Sequence, residues 1–167
     1  YSGGSGTDDV FGRAGDDTLR GGGGEDFLGG GECDDAIYGG TGPNHMSGHE
    51  GNYRLYGGED ADFFNFDHAG AAHRDTIYGF DAADGDLIWL NADLVGLSEG
   101  PLLATQFRSG AGVTTAATGA QRVIYDTASG ILRLDRDGAG GAAAEVVAVL
   151  ENRAALSFAS FEVFVWD

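Results

Sequence analysis

Lysine is absent from the chain, and its nine arginines face twenty-seven aspartates and glutamates, for a formal net charge of −18. That balance excludes nucleic acid and anionic membrane surfaces as partners, because both are held by basic patches. Cysteine occurs once, as Cys33, so no internal disulfide can staple the fold. No apolar run approaches the roughly 20 residues of a membrane span, so no insertion into a membrane is expected, and no secretory signal opens the chain. The missing initiator methionine and the opening Tyr1-Ser2-Gly3 suggest a piece of a longer protein, whose N-terminal domain would be its partner. Catalytic signatures are scarce too. There is no Gly-x-Ser-x-Gly elbow, no lysine follows a glycine-rich loop, and His49-Glu50-Gly51-Asn52-Tyr53 begins like a zinc-protease helix but ends in tyrosine. His45 and His49 lie in glycine-rich turns and His68 and His73 flank an Ala/Gly linker, so all four are read as surface histidines.

What the chain has in excess is glycine, at 31 residues, and the glycines are periodic. A nine-residue unit, Gly-Gly-x-Gly-x-Asp-x-apolar-x, runs without slippage through residues 3–11, 12–20, 21–29, 30–38, 39–47, 48–56 and 57–65. The first position is glycine in all seven copies. The eighth is Val10, Leu19, Leu28, Ile37, Met46, Leu55 and Phe64, and the sixth is Asp8, Asp17, Asp26, Asp35, Asn44, Tyr53 and Asp62. The x-apolar-x end supplies a short strand, leaving six residues to turn the chain, so two units make one coil of a solenoid whose coils stack at about 4.8 Å. Glycine suits turns that take positive φ and approach an ion closely. The repeats hold thirteen Asp and Glu against three Arg, so stacking them brings carboxylates together that need a counterion. Carboxylate and carbonyl oxygens favour a hard, flexibly coordinated cation of calcium's kind over zinc or copper. Cys33 stands where its repeat should carry glycine and is read as a tolerated substitution.

Beyond Phe66 the register ends. Residues 76–80 and 87–90 read as strands around an acidic turn, 122–126 and 131–135 as a hairpin, and 144–150 and 161–166 as two further strands. The fold class expected is all-β: a parallel β-roll solenoid (residues 1–66) with a C-terminal antiparallel β cap (residues 67–167), packed as one unit, because an open solenoid end exposes unpaired backbone. The Asp135-Arg136-Asp137-Gly138 run resembles the opening of an EF-hand loop but lacks its later ligands, and is read as an Asp/Gly-rich turn. Asp75, Asp84 and Asp86 stand as either a further calcium site or a solvated acidic loop.

With repeat and cap both read, the chain resembles the RTX (hemolysin-type calcium-binding repeat) β-roll domain at the C-terminus of serralysin-type secreted metalloproteases. The resemblance implies calcium ions between turns two repeats apart, held by carbonyls and one Asp from each turn. One site would use Gly4, Gly6 and Asp8 with Gly21, Gly23 and Asp26. Another would use Arg13, Gly15 and Asp17 with Gly30, Glu32 and Asp35. Asp26 with Asn44, drawing on Gly22 and Gly24, and Asn44 with Asp62 would make weaker sites. Asp35 with Tyr53 would stay empty. Two full sites, and up to five in all, follow.

The resemblance also implies type I secretion from a Gram-negative bacterium to the extracellular space. Glu162-Val163-Phe164-Val165-Trp166 is similar to the family's C-terminal export signal, with Asp167 as a departure. The function expected is a non-catalytic calcium-binding module that folds on export and stabilises its parent protein, which itself can be an enzyme. The alternative is a calcium-dependent polysaccharide-binding module of a carbohydrate-active enzyme such as an alginate epimerase, with Tyr38, Tyr53, Tyr56 and Trp89 stacking on sugars.

Overall fold

The computed structural model describes residues 1–69 and 74–165. The repeats give eight strands: β1 (Ser2–Ser5), β2 (Asp9–Ala14), β3 (Thr18–Gly23), β4 (Asp26–Glu32), β5 (Ala36–Thr41), β6 (Asn44–Glu50), β7 (Arg54–Glu59) and β8 (Phe63–Phe66). They alternate between two sheets, and each of β1 to β6 pairs in parallel with the strand eighteen residues on. Leu19 lies beside Ile37 and then Leu55, and Val10 beside Leu28, Met46 and Phe64. This is the stacked parallel solenoid that the nine-residue period predicts. The eighth-position side chains of the two sheets meet in one buried core.

Strands β2 to β7 are six or seven residues long, not three, and the turns are correspondingly shorter than the six residues expected. The cause is alternation. Sixth, eighth and first positions all point inward, and a first-position glycine carries no side chain to stop the backbone running on extended against its neighbours. The turns proper need positive φ at the second position of every repeat, from +72° at His49 to +140° at Gly4, and at every fourth position, from +75° at Asp60 to +145° at Gly51. Arg13, Cys33, His49 and Asp60 hold this conformation without being glycine. The stack therefore dictates the turn, and a side chain there is strained by about 1–2 kcal/mol. Cys33 is exposed, so Cys33→Gly should relieve strain without opening a cavity. After the greater unfolded-state freedom of glycine is set against it, a rise in Tm of about 2–4 °C is expected in calcium-containing buffer.

The parallel stack continues past residue 66. Strand β9 (Asp75–Tyr78) pairs with β7, setting Ile77 beside Leu55, and β10 (Leu87–Asn91) pairs with β8, setting Ile88 beside Phe64. A short helix, α1 (Ala92–Val95), follows, capped by the Asn91 side chain and ended by Gly96 at φ +64°. The remaining strands are β11 (Gly100–Pro101), β12 (Phe107–Gly110), β13 (Val123–Asp126), β14 (Ile131–Leu134), β15 (Glu145–Leu150) and β16 (Phe161–Phe164). Strand β15 lies parallel to β9 and β16 parallel to β10, so the C-terminal segment extends both sheets. The sheet orders are β1-β3-β5-β7-β9-β15-β14-β13-β12 and β11-β16-β10-β8-β6-β4-β2. The β13–β14 hairpin is antiparallel as its sequence indicates. The Asp137 carboxylate accepts the Ala142 N–H at 3.1 Å, folding the 135–142 loop back on itself. His73, Trp166 and Asp167 lie outside the described residues, and with them the end of the segment similar to an export signal. No helix among the described residues is long and apolar enough to cross a membrane.

Candidate metal centre

The sixth position of each repeat faces inward where a strand begins, so stacking sets these residues in two rows. One row is Asp8, Asp26, Asn44 and Asp62. The other is Asp17, Asp35 and Tyr53. The insertions after Phe66 do not break them: Asp86 continues the first row and Asp75 the second. The connection is a repeated hydrogen bond. Wherever the next residue of the row is an aspartate, the backbone N–H of the one before it donates to that carboxylate. Asp8 N–H donates to Asp26 Oδ1 (2.9 Å), Asp17 N–H to Asp35 Oδ1 (2.7 Å), and Asn44 N–H to Asp62 Oδ1 (3.0 Å). Tyr53 N–H donates to Asp75 Oδ1 (2.9 Å) and Asp62 N–H to Asp86 Oδ1 (2.9 Å). The register shift rises from eighteen to 22 for Tyr53–Asp75 and 24 for Asp62–Asp86, which absorbs four and six inserted residues (22 − 18 and 24 − 18).

One oxygen of Asp26, of Asp35 and of Asp62 is thereby used. Oδ2 of these three, and of Asp8 and Asp17 at the start of the rows, is buried with no hydrogen-bond partner. Five such atoms in two short rows are a large departure from the rule that buried polar groups are paired. Burial pushes the Asp35 carboxyl up from its ordinary value and raises Asp62 to about 7. A charge held there needs a partner of opposite sign.

The carbonyls lie where that partner would be. A Cβ built on Gly3 would stand 2.7 Å from both Asp8 Oδ2 and the Gly21 carbonyl. One on Gly12 would stand 2.6 Å from the Gly30 carbonyl and 2.9 Å from Asp17 Oδ2. The first-position glycine thus opens a cradle in which a carboxylate oxygen of one turn and a carbonyl of the turn two repeats on face the same small space. This brings together Asp8 with Gly21 and Asp17 with Gly30 from the two sites expected to be complete. Gly4, Gly6, Arg13 and Gly15 are second and fourth positions of the same turns, all at positive φ. Gly22 and Gly24 lie directly over the carbonyls of Gly4 and Gly6. Of the third positions, Glu32 pairs with Glu50 in the β4–β6 ladder, and the Gly23 carbonyl accepts the Gly6 N–H at 2.6 Å. Among the described residues no three His, Cys, Asp or Glu side chains gather to hold a metal. A cation here would draw on carbonyls as much as carboxylates, which is the chemistry of a hard ion such as calcium.

Other candidates separate. Asp75 begins a strand of the nine-stranded sheet, whereas Asp86 precedes a strand of the seven-stranded one, so Asp75, Asp84 and Asp86 do not form one site. Asp86 Oδ2 accepts the Asp81 N–H at 2.8 Å, leaving neither oxygen free, and Asp84 is exposed in the intervening turn. Burial raises Asp75 to about 7. Neither Asp75 nor Asp86 was placed in the rows from sequence, although each keeps the Asp-x-apolar signal in Asp75-Thr76-Ile77 and Asp86-Leu87-Ile88.

Tyr53 is buried, at 1% exposure, and is not available to stack on a sugar. Tyr38 and Tyr56 stack on each other at 4.4 Å and Tyr56 on Tyr78 at 4.5 Å, while Trp89 packs against Phe63, His45 and Phe164. His45 lies between the rings of Phe27 and Phe63, and His49 Nδ1 is 3.3 Å from Asp67 Oδ2.

Against protein-family models, residues 2–35 and 29–64 match the RTX calcium-binding nonapeptide repeat, described in four copies. No curated protein matches the chain.

Proposed function

Because residues 2–64 form an RTX β-roll of calcium-binding nonapeptide repeats, a non-catalytic structural domain, we propose that this chain is the calcium-responsive module of a secreted bacterial protein. Its calcium-binding repeats stay unfolded in calcium-poor cytosol during type I export, fold when calcium reaches them outside the cell, and stabilise the parent protein to which the chain is attached. RTX repeats occur in secreted bacterial proteins, which supports the location. The observation that carries the reading is the set of five buried Oδ2 atoms without partners. Asp8 and Asp26 with the carbonyls of Gly4, Gly6, Gly21 and Gly23 would hold one ion. Asp17 and Asp35 with those of Arg13, Gly15, Gly30 and Glu32 would hold the second. The ion supplies positive charge between stacked carboxylates. The chain supplies the spacing, through glycines that leave room for it.

Equilibrium dialysis against calcium tests this. At least two ions per chain should be retained in the presence of excess magnesium, which dehydrates reluctantly and demands a tighter octahedral cage. Asp17→Ala should retain fewer. A wild-type chain that retains no calcium contradicts the proposal.

A further inference from the structure

Two of the sixth-position residues are not aspartate, and both place a hydrogen-bond donor where the other turns leave oxygens facing one another. Tyr53 lies in the turn of the sixth repeat. Its hydroxyl donates to the Gly31 carbonyl of the fourth repeat at 2.6 Å. Gly31 is a second-position residue, the counterpart of Gly4 and Arg13, whose carbonyls are candidate ligands in the first two sites. The ring lies over the first-position glycines of both turns. A Cβ on Gly30 would stand 2.7 Å from its Cε1, and one on Gly48 would run into the ring face. A Cβ on Gly51 would meet both the Tyr53 hydroxyl, at 3.1 Å, and the Cys33 carbonyl, so the hydroxyl also sits near the fourth-position carbonyl of the lower turn. The space between the two turns is filled by phenol, and the carbonyl that would face an ion has received a proton donor.

Asn44 does the same in the other row. Its amide Nδ2 donates to Asp62 Oδ1 at 2.9 Å and to the Gly42 carbonyl at 2.7 Å. An aspartate in its place would turn an oxygen toward those two oxygens, and only a cation would reconcile the three. At the far end of this row, Asp86 Oδ2 is taken by the Asp81 N–H. No such side-chain donor is present between Asp8 and Asp26 or between Asp17 and Asp35, where Asp8 Oδ2 and Asp17 Oδ2 stay unpaired; the two donors go to carbonyls and to Asp62 Oδ1, and leave Asp35 Oδ2 and Asp62 Oδ2 without a partner.

We infer that Tyr53 and Asn44 are built-in replacements for calcium, which divide the roll into an ion-dependent part, repeats one to four, and a largely ion-independent part running from the fifth repeat through β10, where Asp62 Oδ2 nevertheless stays buried without a partner. For the first part this rests on the calcium reading above; for the second it rests on the two donors alone. The ion-independent part adjoins the C-terminal strands, so it forms a pre-ordered end onto which the first four repeats stack when calcium arrives.

Hydrogen exchange of the wild-type chain in chelator, read by mass spectrometry, tests the division directly. Peptides from residues 44–66 and 75–91 should exchange at least about tenfold more slowly than peptides from residues 3–32, and calcium should remove the difference. Tyr53→Asp restores the repeat pattern and should bind one more calcium per chain than wild type while losing protection of 44–66 in chelator. Tyr53→Phe, which removes only the hydroxyl, should lose part of that protection and gain no ion. Equal exchange of the two segments in chelator, or a Tyr53→Asp chain with the wild-type stoichiometry and undiminished protection, overturns the inference. Protection of 44–66 and 75–91 in a wild-type chain that binds no calcium would overturn the functional reading and leave the two donors' role standing.

Discussion

Asp26→Ala shifts the calcium dependence of folding to at least about tenfold higher calcium and abolishes it for the first site. Asp26 is fully buried and lies inside its row, between Asp8 and Asn44. Its Oδ1 accepts the Asp8 N–H at 2.9 Å, a hydrogen bond to a charged group worth about 1.5–3 kcal/mol. Its Oδ2 is one of the unpaired oxygens. An ion present at a hundred times its dissociation constant contributes about 2.7 kcal/mol of folding free energy, and losing a carboxylate ligand removes most of that. The sum, about 4 kcal/mol, exceeds the effect of ordinary surface substitutions by nearly an order of magnitude. Asp9→Ala is the control, since Asp9 carries the same charge on the exposed face of β2. Both variants are compared by the midpoint of a calcium titration followed by circular dichroism. If Asp26→Ala and Asp9→Ala titrate alike, the carboxylate rows have no special part and only net charge matters.

Gly22→Ala should cost more than about 4 kcal/mol, enough to unfold the coil even at saturating calcium. Two effects coincide there. The φ of +120° is one that L side chains rarely adopt, and a Cβ would be driven into the Gly4 carbonyl of the coil beneath. Two other glycines separate the effects. Gly4 has φ +140° but no atom within 4 Å of a built Cβ, so Gly4→Ala should cost only the conformational part, about 1–3 kcal/mol. Gly119 has neither constraint, and Gly119→Ala should be neutral or slightly stabilising. Thermal unfolding of the three variants in excess calcium should rank them Gly119, Gly4, Gly22. Equal losses at Gly4 and Gly22 would mean that close stacking of the coils contributes nothing.

These glycines also mark what a sequence can and cannot reveal here. The eighth-position apolar residues and the sixth-position aspartates were legible, because each is a side chain whose role depends on the nine-residue period alone. The length of the strands was not. First- to third-position glycines have no β propensity of their own and become extended only because identical backbone lies above and below them. Asp75 and Asp86 belong to the same rows as Asp35 and Asp62, yet four- and six-residue insertions hide the register that would reveal it. Tyr53 reads in sequence as a degenerate repeat with an empty site. Its hydroxyl reaches Gly31, twenty-two residues away, and that contact is a property of the stack. The cap is the least legible part. Nothing in the composition of β15 or β16 says that they pair in parallel with β9 and β10 and so continue both sheets. Strand β12 (Phe107–Gly110) pairs with β13 from within a stretch with no alternating pattern.

On the function proposed above, calcium, bound between carboxylates that are otherwise buried unpaired, orders the first four repeats of the roll. Far-UV circular dichroism of the purified chain, titrated with calcium from chelator to several millimolar and with magnesium as control, tests it most directly. A cooperative gain of β signal with calcium alone is expected, starting from a chelated chain that is partly ordered. A chelated chain whose spectrum is already that of the full roll, and which calcium leaves unchanged, would contradict it.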